Sequence, residues 1–194
     1  MSEGFFILRD FLYFFVTTRL DLQLIESVLK SKETEFTELI ESNQGIVHKV
    51  CRIYTDTPVE HEDLFQEIVL QLWKSFDSFK GDSKFSTWMY RVGLNTAITL
   101  IRKKNRTLAT SSLDSQSYFD IKASEYDEEK EERLRLLYAA IKRLNDVDRA
   151  LVLLYLEDMP YREIAQTLGI SEVNARVKMN RAKDKLKEMM RPKS

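Results

Sequence analysis

Three groups of residues in this 194-residue chain have types and spacings suited to chemistry, and all three suit binding rather than bond-making. The first joins the rings of Phe79, Phe85 and Trp88 to the cations Lys80, Lys84, Arg91 and Arg102, with Ser83 and Asn95 between them. Rings stack on unpaired bases, cations meet phosphates and amides address base edges, so this set fits a single-stranded nucleic acid. The second, Ser171, Asn174, Arg176, Val177, Lys178, Asn180 and Arg181, is a largely polar run with three cations, suited to duplex DNA. The third combines Asp63, Gln66 and Glu67 with Leu70, a leucine without an evident inward partner, and such a face suits docking of a protein.

Catalysis has no comparable footing. The single cysteine, Cys51, lies between Val50 and Arg52 on a helical pattern with no histidine or acid suited to activate it, so it reads as a small buried packer. His48 and His61 are too far apart in sequence to form a recognisable metal motif, and neither a Ser/His/Asp set nor a glycine-rich phosphate loop is present. No enzyme activity, cofactor or metal is expected, and one cysteine excludes a disulfide within the chain.

Charge is balanced overall, 30 basic against 31 acidic residues, but unevenly spread. Residues 84–106 hold six basic residues and no acid, residues 114–132 hold eight acids against two lysines, and the chain from Tyr161 onward is basic again. Two cationic units separated by an acidic stretch can share one polyanion. Only five glycines, three prolines and no long Val/Ile/Thr alternation point to an all-α protein.

The elements that position these groups follow from periodicity. From Glu62 to Phe76, Leu64, Ile68, Leu72 and Phe76 form one apolar stripe and Phe65, Val69 and Trp73 the next, which turns Asp63, Gln66, Glu67 and Leu70 outward. Gly81 and its small polar neighbours form a turn between Phe79 and Phe85, and Ser86 is the expected N-cap of a helix to Ile101, apolar nearly all round. Arg91, Asn95, Thr99 and Arg102 share the one polar face; spacing alone leaves a nucleic-acid reader and a solvated edge equally open. Upstream, residues 21–29 and 33–54 read as helices, with a break at Gly45 and an end before Pro58.

Residues 5–16 are strongly apolar but short of the roughly 20 residues of a membrane span, and Arg9 and Asp10 interrupt them. An overcalled start, a loosely docked extension and a partner-binding patch all fit, and the first is the reading adopted. Residues 109–129 read as a linker. Beyond it, Leu134, Leu137, Ile141 and Leu144 mark a helix, and Asn145 or Asp146 can cap the next. Residues 161–186 carry a helix-turn-helix: a short helix after Pro160, Gly169 for a left-handed turn, Ile170 as a plug, Ser171 as a cap, and Ala175, Met179, Ala182, Leu186 and Met189 as the inward stripe.

These motifs come in a telling order. Asp63-Leu64-Phe65-Gln66-Glu67, Leu72-Trp73, Phe79-Lys80-Gly81-Asp82-Ser83, Phe85-Ser86-Thr87-Trp88-Met89-Tyr90-Arg91 and Asn95-Thr96-Ala97 resemble region two of bacterial sigma-70 family sigma factors, most nearly the extracytoplasmic-function (ECF) group. The helix-turn-helix resembles region four, although the family commonly has glycine where Val173 stands and a different run at residues 175–179. The resemblance covers residues 32–190. It implies two small helical domains: an extension at 1–31, region two at 32–108, a linker at 109–129 threading the polymerase cleft, and region four at 130–191. It further implies binding of core RNA polymerase through Asp63, Gln66, Glu67 and Leu70. Phe79, Lys80, Ser83, Lys84, Phe85, Trp88, Arg91, Asn95 and Arg102 would handle the minus-ten strand, and residues of the 171–181 set the minus-thirty-five element. Promoter DNA and an anti-sigma factor are the other implied partners, in the bacterial cytoplasm. A stand-alone helix-turn-helix regulator is the alternative; it leaves the rings around the basic loop unexplained. An interaction protein that never touches DNA is a third class.

Overall fold

The computed structural model describes residues 30–108 and 128–191. The N-terminal apolar run, the expected helix at 21–29 and the linker between residues 109 and 127 lie outside the described residues. Among the described residues every regular element is helical, so the all-α expectation holds. The chain divides into two units between Ser42 and Asn43, inside the first helix, α1 (residues 30–54). In the first unit Phe36 and Ile40 are buried, and the hydroxyls of Thr34 and Ser42 donate to carbonyls one turn back, at Lys30 and Glu38.

The second unit holds everything else. Its part of α1 buries Val47, Val50, Cys51, Ile53 and Tyr54. The expected break at Gly45 does not occur: the helix runs through it, because an isolated glycine costs a helix interior only about 1 kcal/mol, less than packing returns. Burial pushes the Cys51 thiol up to about 12, in keeping with an inert packer.

α2 (Pro58–Ser75) starts four residues before Glu62. Thr57, extended, accepts from the Glu60 amide, and Pro58 supplies the fixed φ favoured in a first turn. Leu64, Ile68 and Leu72 are buried, with Phe76 in the following 3-10 turn, while Phe65, Val69 and Trp73 are only half-buried. α3 (Phe85–Leu108) corrects two expectations. Its first bond, Trp88 N–H to the Lys84 carbonyl at 3.1 Å, leaves Ser86 inside the first turn rather than capping it. Nor is it buried all round: Met89, Tyr90, Leu94 and Ala97 face the core, whereas Leu100 is exposed.

α4 (Glu128–Lys142), α5 (Asp146–Leu156), α6 (Tyr161–Leu168) and α7 (Glu172–Met189) complete the unit. α4 begins earlier than its apolar pattern, and Leu134 is exposed; Ala140 and Ile141 carry its contact, with Leu144 buried just beyond its end. α5 is the hub, with residues 150–154 all buried. Asn145 caps it, accepting from the Asp148 amide and donating to the Asp148 carboxylate at 2.7 Å. Gly169, at φ 66°, takes the left-handed position that lets the chain turn sharply from α6 into α7.

Within this unit the α1–α3 group packs on the α4–α7 group, α3 lying against α5 and α6. Polar ties cross the seam. Lys49 meets both Glu157 oxygens at 2.7 Å, the Tyr54 hydroxyl donates to the Asp146 carbonyl at 2.6 Å, Arg149 donates to the Ile53 carbonyl at 3.4 Å and Thr87 to Glu163 at 3.3 Å.

Candidate nucleic-acid interface

The turn between α2 and α3 gathers three rings. Phe79 stands 5.3 Å from both Phe85 and Trp88, centroid to centroid, and Phe85 and Trp88 are 5.4 Å apart. All three are half-buried, so the cluster is held together by its own edges and still presents ring surface to solvent. Phe76, buried, meets Phe85 edge-on and anchors the group to the core. Gly81 at φ 77° makes the turn, which leaves Lys80, Asp82, Ser83 and Lys84 exposed around the rings.

On α3, Arg91, Asn95, Thr99 and Arg102 are all exposed along one face, continuing from Trp88. Thr99 donates its hydroxyl to the Asn95 backbone carbonyl at 2.7 Å, a bond within the helix that does not engage the Asn95 side chain. Arg102 lies 4.0 Å from Asp146, a loose pair at an exposed site. Lys104 is tied to Glu60 at the start of α2, and that bond holds the Glu60 carboxyl below its ordinary range.

α7 carries the second cationic group. Ser171 is its N-cap, accepting from the Asn174 amide at 3.2 Å. Arg176 pairs with Glu172 at 2.6 Å and lies 4.6 Å from the centre of the Tyr161 ring, so its guanidinium is aimed across the N-terminal half of the helix. Asn174, Val177, Asn180 and Arg181 are exposed. Lys178 is not oriented with them: half-buried, it lies 3.8 Å from Asp148, which Lys185 also approaches at 3.8 Å. Those two lysines bind α7 to the start of α5 and neutralise a carboxylate whose side chain is only 7% exposed.

The acidic face of α2 is open. Asp63 and Gln66 are exposed, Leu70 is 43% exposed, and Glu67 accepts from Gln71 at 2.8 Å, which holds its carboxylate on that face. Gln66 similarly donates to Glu62.

Sequence reading missed one cluster. Residues 48 and 61 come together across α1 and α2, His48 Nδ1 lying 2.9 Å from His61 Nε2, with the His48 ring stacked on Phe65. Thirteen residues of separation hid a contact that only the antiparallel return of α2 creates. Burial, then the neighbouring His48 and Arg52, lowers the pKa of His61 from its ordinary value. Among the described residues no group of three or more metal-ligating side chains gathers, there or elsewhere.

Against known proteins, residues 39–107 match Sigma-70 region 2 and residues 134–186 match Sigma-70, region 4. The chain is 28% identical over 185 residues to the ECF RNA polymerase sigma-E factor of Escherichia coli (strain K12), covering 89% of this chain and 95% of that protein. It is 26% identical to the Haemophilus influenzae protein of the same name, with 89% and 96% covered. Two solved structures share the fold. One is the sigma factor RpoE in complex with the anti-sigma factor NepR from Bartonella quintana, at TM-score 0.65 and 19% identity, covering 83% of this chain and 97% of that one. The other is CnrH in complex with the cytosolic domain of CnrY, at TM-score 0.58 and 19% identity, covering 81% and 88%.

Proposed function

We propose a division of labour among these surfaces from the premise that this chain belongs to the sigma-70 family of RNA polymerase sigma factors, in its extracytoplasmic-function group. It is a sigma factor acting in transcription initiation, and the stand-alone regulator is not favoured, because region 2 is present beside region 4. The exposed acidic face of α2, with Asp63, Gln66, Glu67 and Leu70, docks on core RNA polymerase. The ring cluster and the α3 stripe, from Phe79 through Lys80, Ser83, Lys84, Phe85, Trp88, Arg91 and Asn95 to Arg102, hold the melted minus-ten strand. The exposed part of the 171–181 set reads the minus-thirty-five duplex, with Lys178 contributing to helix packing as much as to DNA.

The observation that carries this reading is the half-open ring cluster at the head of a cationic, amide-bearing helix face. A helix-turn-helix alone has no use for it, whereas stacking on an extruded base contributes about 1–3 kcal/mol and needs an unpaired base. The chain supplies binding energy and no bond chemistry of its own. Its place is the cytoplasm, where polymerase and promoter are; among the described residues no helix is long and apolar enough to cross a membrane. An anti-sigma factor is a further partner, supported by the relatives of like fold solved with one.

Gel filtration with core polymerase followed by permanganate footprinting on promoter DNA tests the scheme. Glu67→Lys is expected to lose co-elution, since removing one partner of a desolvated charge contact costs about 2–5 kcal/mol. Phe79→Ala is expected to co-elute yet open the duplex poorly. Normal opening by a Phe79→Ala protein with a lowered melting temperature would reduce that ring to a structural element.

A further inference from the structure

α7 places two valines where a folded helix has no use for them. At about 100° per residue, the buried stripe of Ala175, Met179, Ala182 and Leu186 occupies one side of the helix. Val173 and Val177, one turn apart, fall near the middle of the opposite side, and they are 72% and 43% exposed. Neither gains burial, and a β-branched side chain forms helix less readily than the alanine that could stand there. Around them the same outward side is polar or cationic as far as Arg181, with Asn174, Arg176, Asn180 and Arg181, and its exposed acid Asp184 lies two turns beyond Val177. An apolar ridge framed by cations and amides complements one surface well: the major groove of a duplex, whose walls are anionic phosphate and whose floor carries a single kind of apolar projection, the C5-methyl of thymine.

We propose that Val173 and Val177 are specificity-determining residues that read thymine methyl groups in the upstream promoter element. The inference rests on the reading of α7 as the duplex-binding helix and deepens it, from a helix that binds DNA to one that selects T·A over C·G pairs through apolar contact. Their Cα atoms are separated by a rise of about 6 Å, so the methyls they meet lie within about two base steps of one another. Arg176 is poised for the flank of this ridge, braced by Glu172 and the Tyr161 face, so cationic and apolar readout come from one turn and a half of helix.

The test uses holoenzyme assembled from the full chain and core RNA polymerase. It first selects from a pool of duplexes randomised over the upstream segment, with a fixed downstream half. The selected duplex is then remade with deoxyuridine in place of single thymines, which deletes one methyl and leaves pairing intact. At one or two positions the substitution is expected to weaken binding roughly fourfold, the scale of one buried methylene. Val173→Ala or Val177→Ala should lower affinity for the thymine duplex to that of its uridine counterpart and abolish the difference between them, a double-mutant cycle across the interface. Alanine favours the helix, so loss of fold does not confound these variants. If uridine at every thymine of the element leaves binding unchanged, the proposal falls while α7 remains a duplex binder. If no upstream sequence is enriched, the duplex-binding reading falls and takes the proposal with it. Valine variants that lose core polymerase without altering thymine dependence would make the pair a protein contact and overturn the proposal as well.

Discussion

His48 and His61 show how a single contact makes stability depend on pH. With ring nitrogens 2.9 Å apart, one can donate to the other only while at least one ring is neutral, and the surroundings add Arg52 and Lys142 to the positive side against Glu62. The pKa of His61 is lowered below 6.5 in the folded chain. Between those two values the unfolded chain binds more protons, so stability is full above about pH 6.5, declines as pH falls through the window and levels off below the folded value. Thermal melts from about pH 8 to about pH 5 should show this decline, and His61→Gln should flatten it. An equally steep acid limb in the variant would assign the effect to the carboxylates instead.

At the scale of elements, Ser86 and Ser171 were indistinguishable as sequence signals, each a serine before a helical pattern. Only Ser171 caps: its Oγ accepts from the Asn174 amide, while Ser86 lies one residue inside α3. Ser171→Ala is therefore expected to cost about 1 kcal/mol and Ser86→Ala much less, as read by urea unfolding. Reversed magnitudes would mean that the start of α3 is frayed. The helix-turn-helix was legible because every signal it needs is local: the Ile164 and Ala165 contact side, the left-handed Gly169, the cap, and an inward stripe spaced by four and three. The start of α2 was not, since the Thr57 cap and Pro58 read as an ending for α1 and in fact also begin α2. Site residues divide the same way. The exposed stripe on α3 follows from helical spacing, whereas the withdrawal of Lys178 toward Asp148, thirty residues away, depends on how α7 crosses α5. Long-range ion pairs leave no periodic trace.

For the whole molecule, the seam between the α1–α3 and α4–α7 groups is held by groups of opposite type rather than by apolar surface alone: Lys49 with Glu157, Tyr54 with the Asp146 carbonyl, Thr87 with Glu163. Two promoter elements about 25 base pairs apart are separated by about 85 Å of duplex axis, beyond the reach of two helix groups in direct contact, since even the 24-residue α3 is only about 36 Å long. Engaging both through the surfaces proposed above would require the seam to part. The Lys49–Glu157 pair is partly solvated, with side chains 43% and 24% exposed, so it contributes at most about 1 kcal/mol and is screened by salt. Glu157→Gln should raise the radius of gyration measured by small-angle X-ray scattering at low salt toward that of the unsubstituted chain at high salt. A chain equally compact with and without the carboxylate would show the pair to be incidental. The seam also changes what a promoter affinity means. If only a fraction of free molecules is parted at any moment, the apparent dissociation constant equals the intrinsic one divided by that fraction. Any partner that prefers the parted form, core polymerase first among them, then tightens DNA binding without touching DNA, and by reciprocity promoter DNA tightens the hold of the polymerase.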